Sequence, residues 1–386
     1  LFLALCSGVG LAALVFLQGK PLLTFIAGQA SVSVVPSAWR YALVRAFGQP
    51  FVVMASVARA SALARKDTQG PLLSVALACI MNLVGTVSLV KYQGLGIVGA
   101  AIGTLSADVA ATLFLLHRIR HSRQRQQQHE QQQQQQQQKS GNTRSSPRSI
   151  PTPLLVIPTM KNLQRFLTYA APIFFTILGK SVVYNGIAVS VGQLGLVALA
   201  AHQVLLRSFF FWCPVGDSVG MTSQVFLPGI LAEEKRTGVS KQGAKRLLFG
   251  TGVIAGLIAA ALAGLLPSQG AGLFTTDRLV AAALKRTAPI LAFCVGMHAI
   301  ALTCEGMLLA QQDFGFLSIS YVTTTVATIG LLVSSFRPST LGGCWWILAL
   351  FQGGRALQFM IRNVWISSTK QRRQRKVEQT LTTESL

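Results

Sequence analysis

The chain has 386 residues, of which 51% are hydrophobic and only 12% charged, and its mean hydropathy is +0.50. A soluble domain carries about 25% charged residues, so a water-facing globule of this length is excluded. The formal charge of +23 would suit a nucleic-acid partner, but Lys and Arg fall between or beyond the apolar runs, and nucleic acid is set aside.

Ten apolar segments follow one another, at roughly 1–17, 41–63, 71–90, 94–116, 166–190, 198–231, 247–266, 287–310, 314–335 and 341–361. Each is close to the 20 or so residues that cross a bilayer as a helix, and backbone groups in hydrocarbon must be satisfied within the segment. The expectation is an all-α polytopic membrane protein, with the lipid bilayer as its partner. Assigning the connections alternately to two sides puts most basic residues on one of them. That side holds Arg65 and Lys66, the 117–165 and 232–246 connections, and the chain from Arg362 onward. The other has Lys20, Arg40, Lys91, Arg278, Lys285, Arg286 and Arg337. Positive connections stay on the cytoplasmic side or its organellar equivalent, so the charge reports topology.

The six cysteines lie inside apolar segments without C-x-x-C spacing and read as small buried hydrophobes. His117 and His121 have metal-ligand spacing but sit among Arg118 and Arg120 with no carboxylate near; a basic helix end is expected, with no metal and no cofactor.

Residues 117–161 contain "QQQHEQQQQQQQQKSGNTRSSPRSIP", a composition that reads as a disordered linker. It separates a lobe at 1–116 (four helices) from one at 162–362 (six helices), followed by a basic tail at 363–386. The lobes echo one another. "ALARKDTQGPLLSVALA" (62–78) and "LLAQQDFGFLSISYVTT" (308–324) both read as helix, Asp-containing tight turn, helix. Internal repeats of this kind are typical of secondary transporters. The second, third and fourth helices then match the eighth, ninth and tenth, and the first matches the seventh. The fifth and sixth lack mates, so two further N-terminal helices are expected, twelve in two six-helix lobes.

"RAFGQPFVVMASVARASALARKDTQGPLLSVALACIMNLVG" with "GLGIVGAAIGTLSAD", and "ALAAHQVLLRSFFFWCPVGDSVGMTSQVFLPGILAEE", resemble segments of the multidrug and toxic compound extrusion (MATE) transporters. "CEGMLLAQQDFGFLSISY" and "GGCWWILALFQGGRALQFMIR" resemble the plastid group of plants and algae, which includes the salicylate exporter of the enhanced-disease-susceptibility type. The resemblance implies a V-shaped pair of lobes around a central cavity and exchange of H⁺ or Na⁺ for a small organic solute or xenobiotic. It implies no enzyme activity, and a plastid envelope location. The first-helix acid of several prokaryotic members has no counterpart here, and where other members carry an acid in the seventh family helix this chain has Lys180.

An ionisable group at the centre of a membrane helix costs about 2.5–3.5 kcal/mol on the insertion scale and is a functional candidate by default. Glu305 and His298, seven apart, share a helix face about 10 Å apart, and Glu305 is expected to face a water-filled cavity and exchange a proton. Asp217, Met221 and Gln224 line one face, with Pro214 and Gly216 weakening that helix. Asp108 is expected to face the cavity from the N-terminal lobe. Lys180 reads as a counter-ion to Asp217 or Glu305, as a contact for an anionic substrate, or as a lysine that snorkels to the interface, with Asn185 loosely on its face. His202 and Gln203 read as polar glue, and Asp67 and Asp313 as turn-capping residues. The leading expectation is a monomeric secondary-active antiporter. The alternatives are a lipid-linked flippase of related fold, a membrane-embedded transferase, for which no His/Asp constellation is found, and a non-functional fragment.

Overall fold

The computed structural model describes residues 1–27, 35–139, 159–237, 241–334 and 338–384. All ten apolar segments are helical. The elements are α1 (Phe2–Ala27), α2 (Val35–Ala64), α3 (Gln69–Val87, extended by a π turn Ser88–Tyr92), α4 (Gly96–Lys139), α5 (Met160–Gly192) and α6 (Leu196–Thr237). They continue with α7 (Lys241–Gln269), a single turn α8 (Ala271–Phe274), α9 (Arg278–Ala310), α10 (Phe314–Val333) and α11 (Leu341–Glu384). Among the described residues, nine helices are long and apolar enough to cross a membrane. The tenth expected span, 341–361 in α11, is not one of them, because Gln352, Arg355 and Gln358 dilute its hydropathy. Polarity there is turned inward: Arg355 and Gln352 are fully buried.

Two compact units divide the chain, Leu1–Thr159 and Met160–Leu386. The boundary falls where the expected linker ends, but the linker is not wholly irregular: α4 runs through the glutamine tract to Lys139. Glutamine is a good helix former, so a tract with nothing to bury still propagates a helix that has already begun. Residues 140–158 lie outside the described set. The expected 363–386 tail likewise continues α11 as far as Glu384.

In the first unit α2 packs against α1 and α4, and α3 against α4. Asn82 on α3 accepts from Thr104 on α4 at 3.0 Å, and Thr112 on α4 donates to the Phe51 carbonyl on α2 at 3.0 Å. The outer face of α3 stays apolar, with Leu72, Ile80, Leu83 and Val84 more than half exposed, as suits a face turned to lipid. In the second unit α9 is the centre, packed by α6, α7 and α11, while α5 packs on α10. Small residues allow this. A Cβ added to Gly216 of α6 would lie 2.5 Å from the Ala299 Cα, and one on Gly220 would lie 2.6 Å from the Leu302 carbonyl oxygen. Close backbone approach through small residues is the usual means of helix association where lipid is as apolar as leucine.

The internal repeat is written in the turns. After α2, the Lys66 and Asp67 amides donate to the Leu63 and Ala62 carbonyls; after α9, those of Gln312 and Asp313 donate to Leu309 and Leu308. Both are Schellman closures, and the residue in the left-handed position is not glycine in either, with φ 62° at Lys66 and 61° at Gln312. Each following aspartate is gripped by an arginine from the last helix of its repeat. Arg118 reaches Asp67 at 3.0 and 3.1 Å, and Arg362 reaches Asp313 at 2.8 and 3.4 Å. Asp67 also accepts from the Gly70 amide at 3.0 Å.

The Arg118 hydrogen bond, helped by Gly70 and against some desolvation, holds the Asp67 carboxyl below the usual carboxylate range. A depressed pKa stabilises the fold above the unfolded-state value and ceases to do so as pH falls through the folded one. Wild type and Asp67→Asn should therefore differ in melting temperature by a constant amount from about pH 8 to pH 5, and the gap should begin to narrow as pH falls below about 4. A gap that does not narrow at all on acidification would contradict this.

Candidate functional site

Both oxygens of Glu305 are engaged. Lys180 on α5 approaches Oε1 at 3.1 Å and Oε2 at 3.2 Å, and the Tyr321 hydroxyl on α10 donates to Oε2 at 2.5 Å. Tyr321 in turn accepts from Arg355 Nη1 on α11 at 2.6 Å. Arg355 Nη2 donates to Gln352 Oε1, and Gln352 Nε2 donates to the Tyr184 hydroxyl on α5 at 3.0 Å. The chain Lys180–Glu305–Tyr321–Arg355–Gln352–Tyr184 thus closes a circuit through α5, α9, α10 and α11. Aromatic faces complete it: Lys180 Nζ lies 5.0 Å from the Tyr321 ring centroid, and Arg355 Cζ lies 5.1 Å from Tyr321 and 4.4 Å from Phe351. Such contacts gain strength when desolvated.

The local sequence makes the circuit possible. Gln352 and Arg355 are one turn apart on α11 and face inward together, as Lys180 and Tyr184 do on α5. Glu305 lies in the last turns of α9, where almost every residue from Thr303 to Leu308 is buried. Lys180 meets the carboxylate directly, whereas Arg355 reaches it only through the Tyr321 hydroxyl. Removing a partner from a buried pair leaves an uncompensated charge, which costs about 3–5 kcal/mol, so neither Lys180 nor Glu305 is dispensable on electrostatic grounds alone.

A second pair lies on the same helix. His298 Nε2 approaches Asp217 Oδ1 on α6 at 3.3 Å, and Phe209 meets the imidazole edge-on at 5.4 Å between centroids. Here burial is unequal, with 8% of the His298 side chain exposed and 45% of Asp217. Met221 and Gln224 follow Asp217 on the same face of α6, also exposed.

Four of the seven residues named from sequence are therefore brought together as two pairs, Lys180 with Glu305 and Asp217 with His298. His298 and Glu305, expected to share a face, each have a separate partner on another helix. Glu305, expected to face a cavity, is only 5% exposed; the open acid is Asp217. Gln224 shares the Asp217 face. Asn185 is exposed and donates to the Ser181 carbonyl of its own helix at 2.8 Å, so it joins neither pair. Asp108 belongs to the first unit, where Arg45 approaches it at 2.6 Å. His202 is fully buried against the Trp345 ring at 5.9 Å, and neither ring nitrogen has a hydrogen-bond partner among the described residues, so it acts by packing rather than as polar glue. Cys213, Cys294, Cys304 and Cys344 are buried as expected, but Cys6 and Cys79 are exposed.

Tyr321, Arg355, Gln352 and Tyr184 were not singled out by sequence reasoning. Arg355 could have been: an arginine within the last apolar segment, one turn from a glutamine, is as anomalous there as Lys180 is in the fifth.

The bundle of membrane-length helices with charges turned inward defines an integral, multi-pass membrane protein. The family model described as MatE matches residues 172–333. Protein DETOXIFICATION 47, chloroplastic, of Arabidopsis thaliana is 27% identical over 360 residues, 92% of this chain and 61% of that protein. Protein DETOXIFICATION 44, chloroplastic, from the same plant is 25% identical over 381 residues, 95% of this chain and 64% of that protein. The chain thus spans about three fifths of the length of these relatives. Among solved structures, the outward-facing conformation of a multidrug resistance MATE family transporter of the MOP superfamily superposes with TM-score 0.74 at 18% identity, covering 96% of this chain and 78% of that one. A MATE in the straight conformation gives TM-score 0.73 at 18% identity with the same coverage. Residues 172–333 thus resemble the MATE family in sequence, and the chain shares the fold of the solved MATE structures.

Lys180→Met should destabilise the protein by about 3–5 kcal/mol, because it removes the cation in direct contact with the buried Glu305 carboxylate. Adding Glu305→Gln should recover most of that loss. Unfolding of the two single variants and the double variant in mild detergent measures the coupling, and simple additivity would show that the pair is not interacting.

Proposed function

We infer that this chain carries out secondary-active antiport, exporting a small organic solute in exchange for H⁺ or Na⁺ by alternating access, as a monomer. The observation that supports the reading most strongly is the buried Lys180–Glu305 pair within the Tyr321–Arg355–Gln352–Tyr184 circuit. A purely structural core gains little from a carboxylate and two cations, since well-packed apolar residues of similar volume are commonly as stabilising or more so. A carrier gains a switch. A proton or Na⁺ arriving at Glu305 neutralises the charge that holds Lys180, and the freed ammonium then has to find another anion or water. That change in pairing differs between two states of the bundle, as any coupling by an ion requires.

Asp217 supplies the other half of the reading. It is half exposed and paired with the buried His298, so it is suited to be the first stop for an ion on its way to the α9 face. Coupling in the second unit is consistent with Lys180 standing where the resemblance leads one to expect an acid. The names of the two Arabidopsis relatives reported above favour a plastid envelope location.

The test is transport by the full chain in proteoliposomes, with H⁺ and Na⁺ gradients imposed separately and salicylate and ethidium as anionic and cationic probes. One gradient should drive export of at least one probe. Glu305→Gln should abolish the pH dependence and lower flux by about tenfold or more, equivalent to a barrier raised by roughly 1.4 kcal/mol. Asp217→Asn should slow transport and shift its pH dependence without abolishing it. Glu305→Gln transport with unaltered pH dependence would overturn the assignment.

A further inference from the structure

A pocket of about 400 Å³ lies at the end of the second unit where α7 begins, α9 ends and α11 passes residues 360–368. Its wall is apolar, formed by Phe249, Met307, Met360 and Val364, and its rim carries Lys245 and Arg246. Val364 is 64% exposed and Met360 36%, so the mouth opens sideways between α7 and α11. Lys245 is held at the rim by donating to Gln311 Oε1 at 2.8 Å and to the Ser367 hydroxyl at 3.4 Å. The sequence assigns the 232–246 connection and the chain from Arg362 to the positive side, and on that reading the pocket lies at the membrane interface there.

We propose that this pocket binds an anionic phospholipid from the bilayer, with an acyl chain between α7 and α11 and its phosphate on Lys245 and Arg246. The wall and rim together select this class. A soluble anion would gain nothing from the methionine and phenylalanine wall, and a zwitterionic lipid would bring no net charge to two adjacent cations. Basic pockets between membrane helices on the cytoplasmic or equivalent side are suited to anionic head groups, each Lys or Arg near the surface contributing about 1 kcal/mol. A guanidinium adds planar, two-point hydrogen bonding to phosphate oxygens. The pocket is walled in part by α9, at Cys304 and Met307, beside Glu305, so its occupant would brace the helix that carries both ion pairs. This inference is independent of which solute is carried.

The experiment is thermal unfolding of the full chain in neutral detergent, titrated with phosphatidylglycerol, phosphatidylcholine or glycerol phosphate, with native mass spectrometry to count retained lipid. Phosphatidylglycerol should raise the melting temperature and remain bound. Arg246→Gln and Lys245→Gln should each weaken the apparent affinity about fivefold. Val364→Trp, at the exposed mouth, should exclude the acyl chain and abolish retention. Arg246 and Val364 are both exposed, so these two replacements leave the core intact. Equal stabilisation by phosphatidylcholine, an equal shift from glycerol phosphate alone, or an unaltered lipid response in Arg246→Gln would each overturn the proposal.

Discussion

A guanidinium wholly withdrawn from water must find its partners in protein, and Arg355 does so at Nη1 and Nη2 by drawing other helices around it, while its Nε has no hydrogen-bond partner among the described residues. Tyr321 brings α10 into the arrangement, Gln352 passes the contact to Tyr184 on α5, and Tyr321 hands it to Glu305 on α9. The four helices are thereby tied by directional bonds, and the low local dielectric makes every unmade bond expensive. Lys180 then makes the burial of Glu305 tolerable. The circuit is bonded at almost every joint, with Lys180 on the carboxylate and Arg355 one hydroxyl further away.

Packing determines where this can happen. Glycines on α6 let α9 come to backbone contact, and α9 becomes the most buried long helix of its unit. Seven residues along it separate His298 from Glu305, about 10 Å of rise. The two acids they involve, Asp217 and Glu305, accordingly sit at different depths, one half open and one enclosed. Outside, the same helices present leucine, valine, isoleucine and phenylalanine. Charge inside and hydrocarbon outside is the arrangement a bilayer imposes, and it accounts for the deficit of charged residues in the composition.

The helices were legible because hydropathy alone marks them, and the repeat because two Asp-containing turns have matching neighbours in sequence. The shared left-handed residues Lys66 and Gln312 could not be foreseen, since neither is glycine; only the hydrogen bonds of the closure show them. The glutamine tract misled because its composition reports what it cannot bury, whereas its helix needs only propensity and an existing end to grow from. Among the site residues, spacing placed His298 and Glu305 on one face but could not name the partner of either. Their partners come from helices 81 and 125 residues away in sequence, and one helix's periodicity carries no information about which neighbour faces it. Arg355 was overlooked because the basic residues were counted in the connections, where topology puts them, rather than in the spans, where function does.

The most direct measurement of the central claim is the protonation of Glu305 itself. Infrared difference spectra of the reconstituted full chain, taken as pH is stepped and compared with Glu305→Gln, isolate the carboxyl band of this residue. If the Lys180–Glu305 pair is the coupling switch, a protonated-carboxyl band missing from Glu305→Gln should appear under acid loading and diminish when a transported solute is added. If Glu305 remains ionised through the whole pH range, with and without solute, the circuit is a structural clamp and coupling must be sought elsewhere.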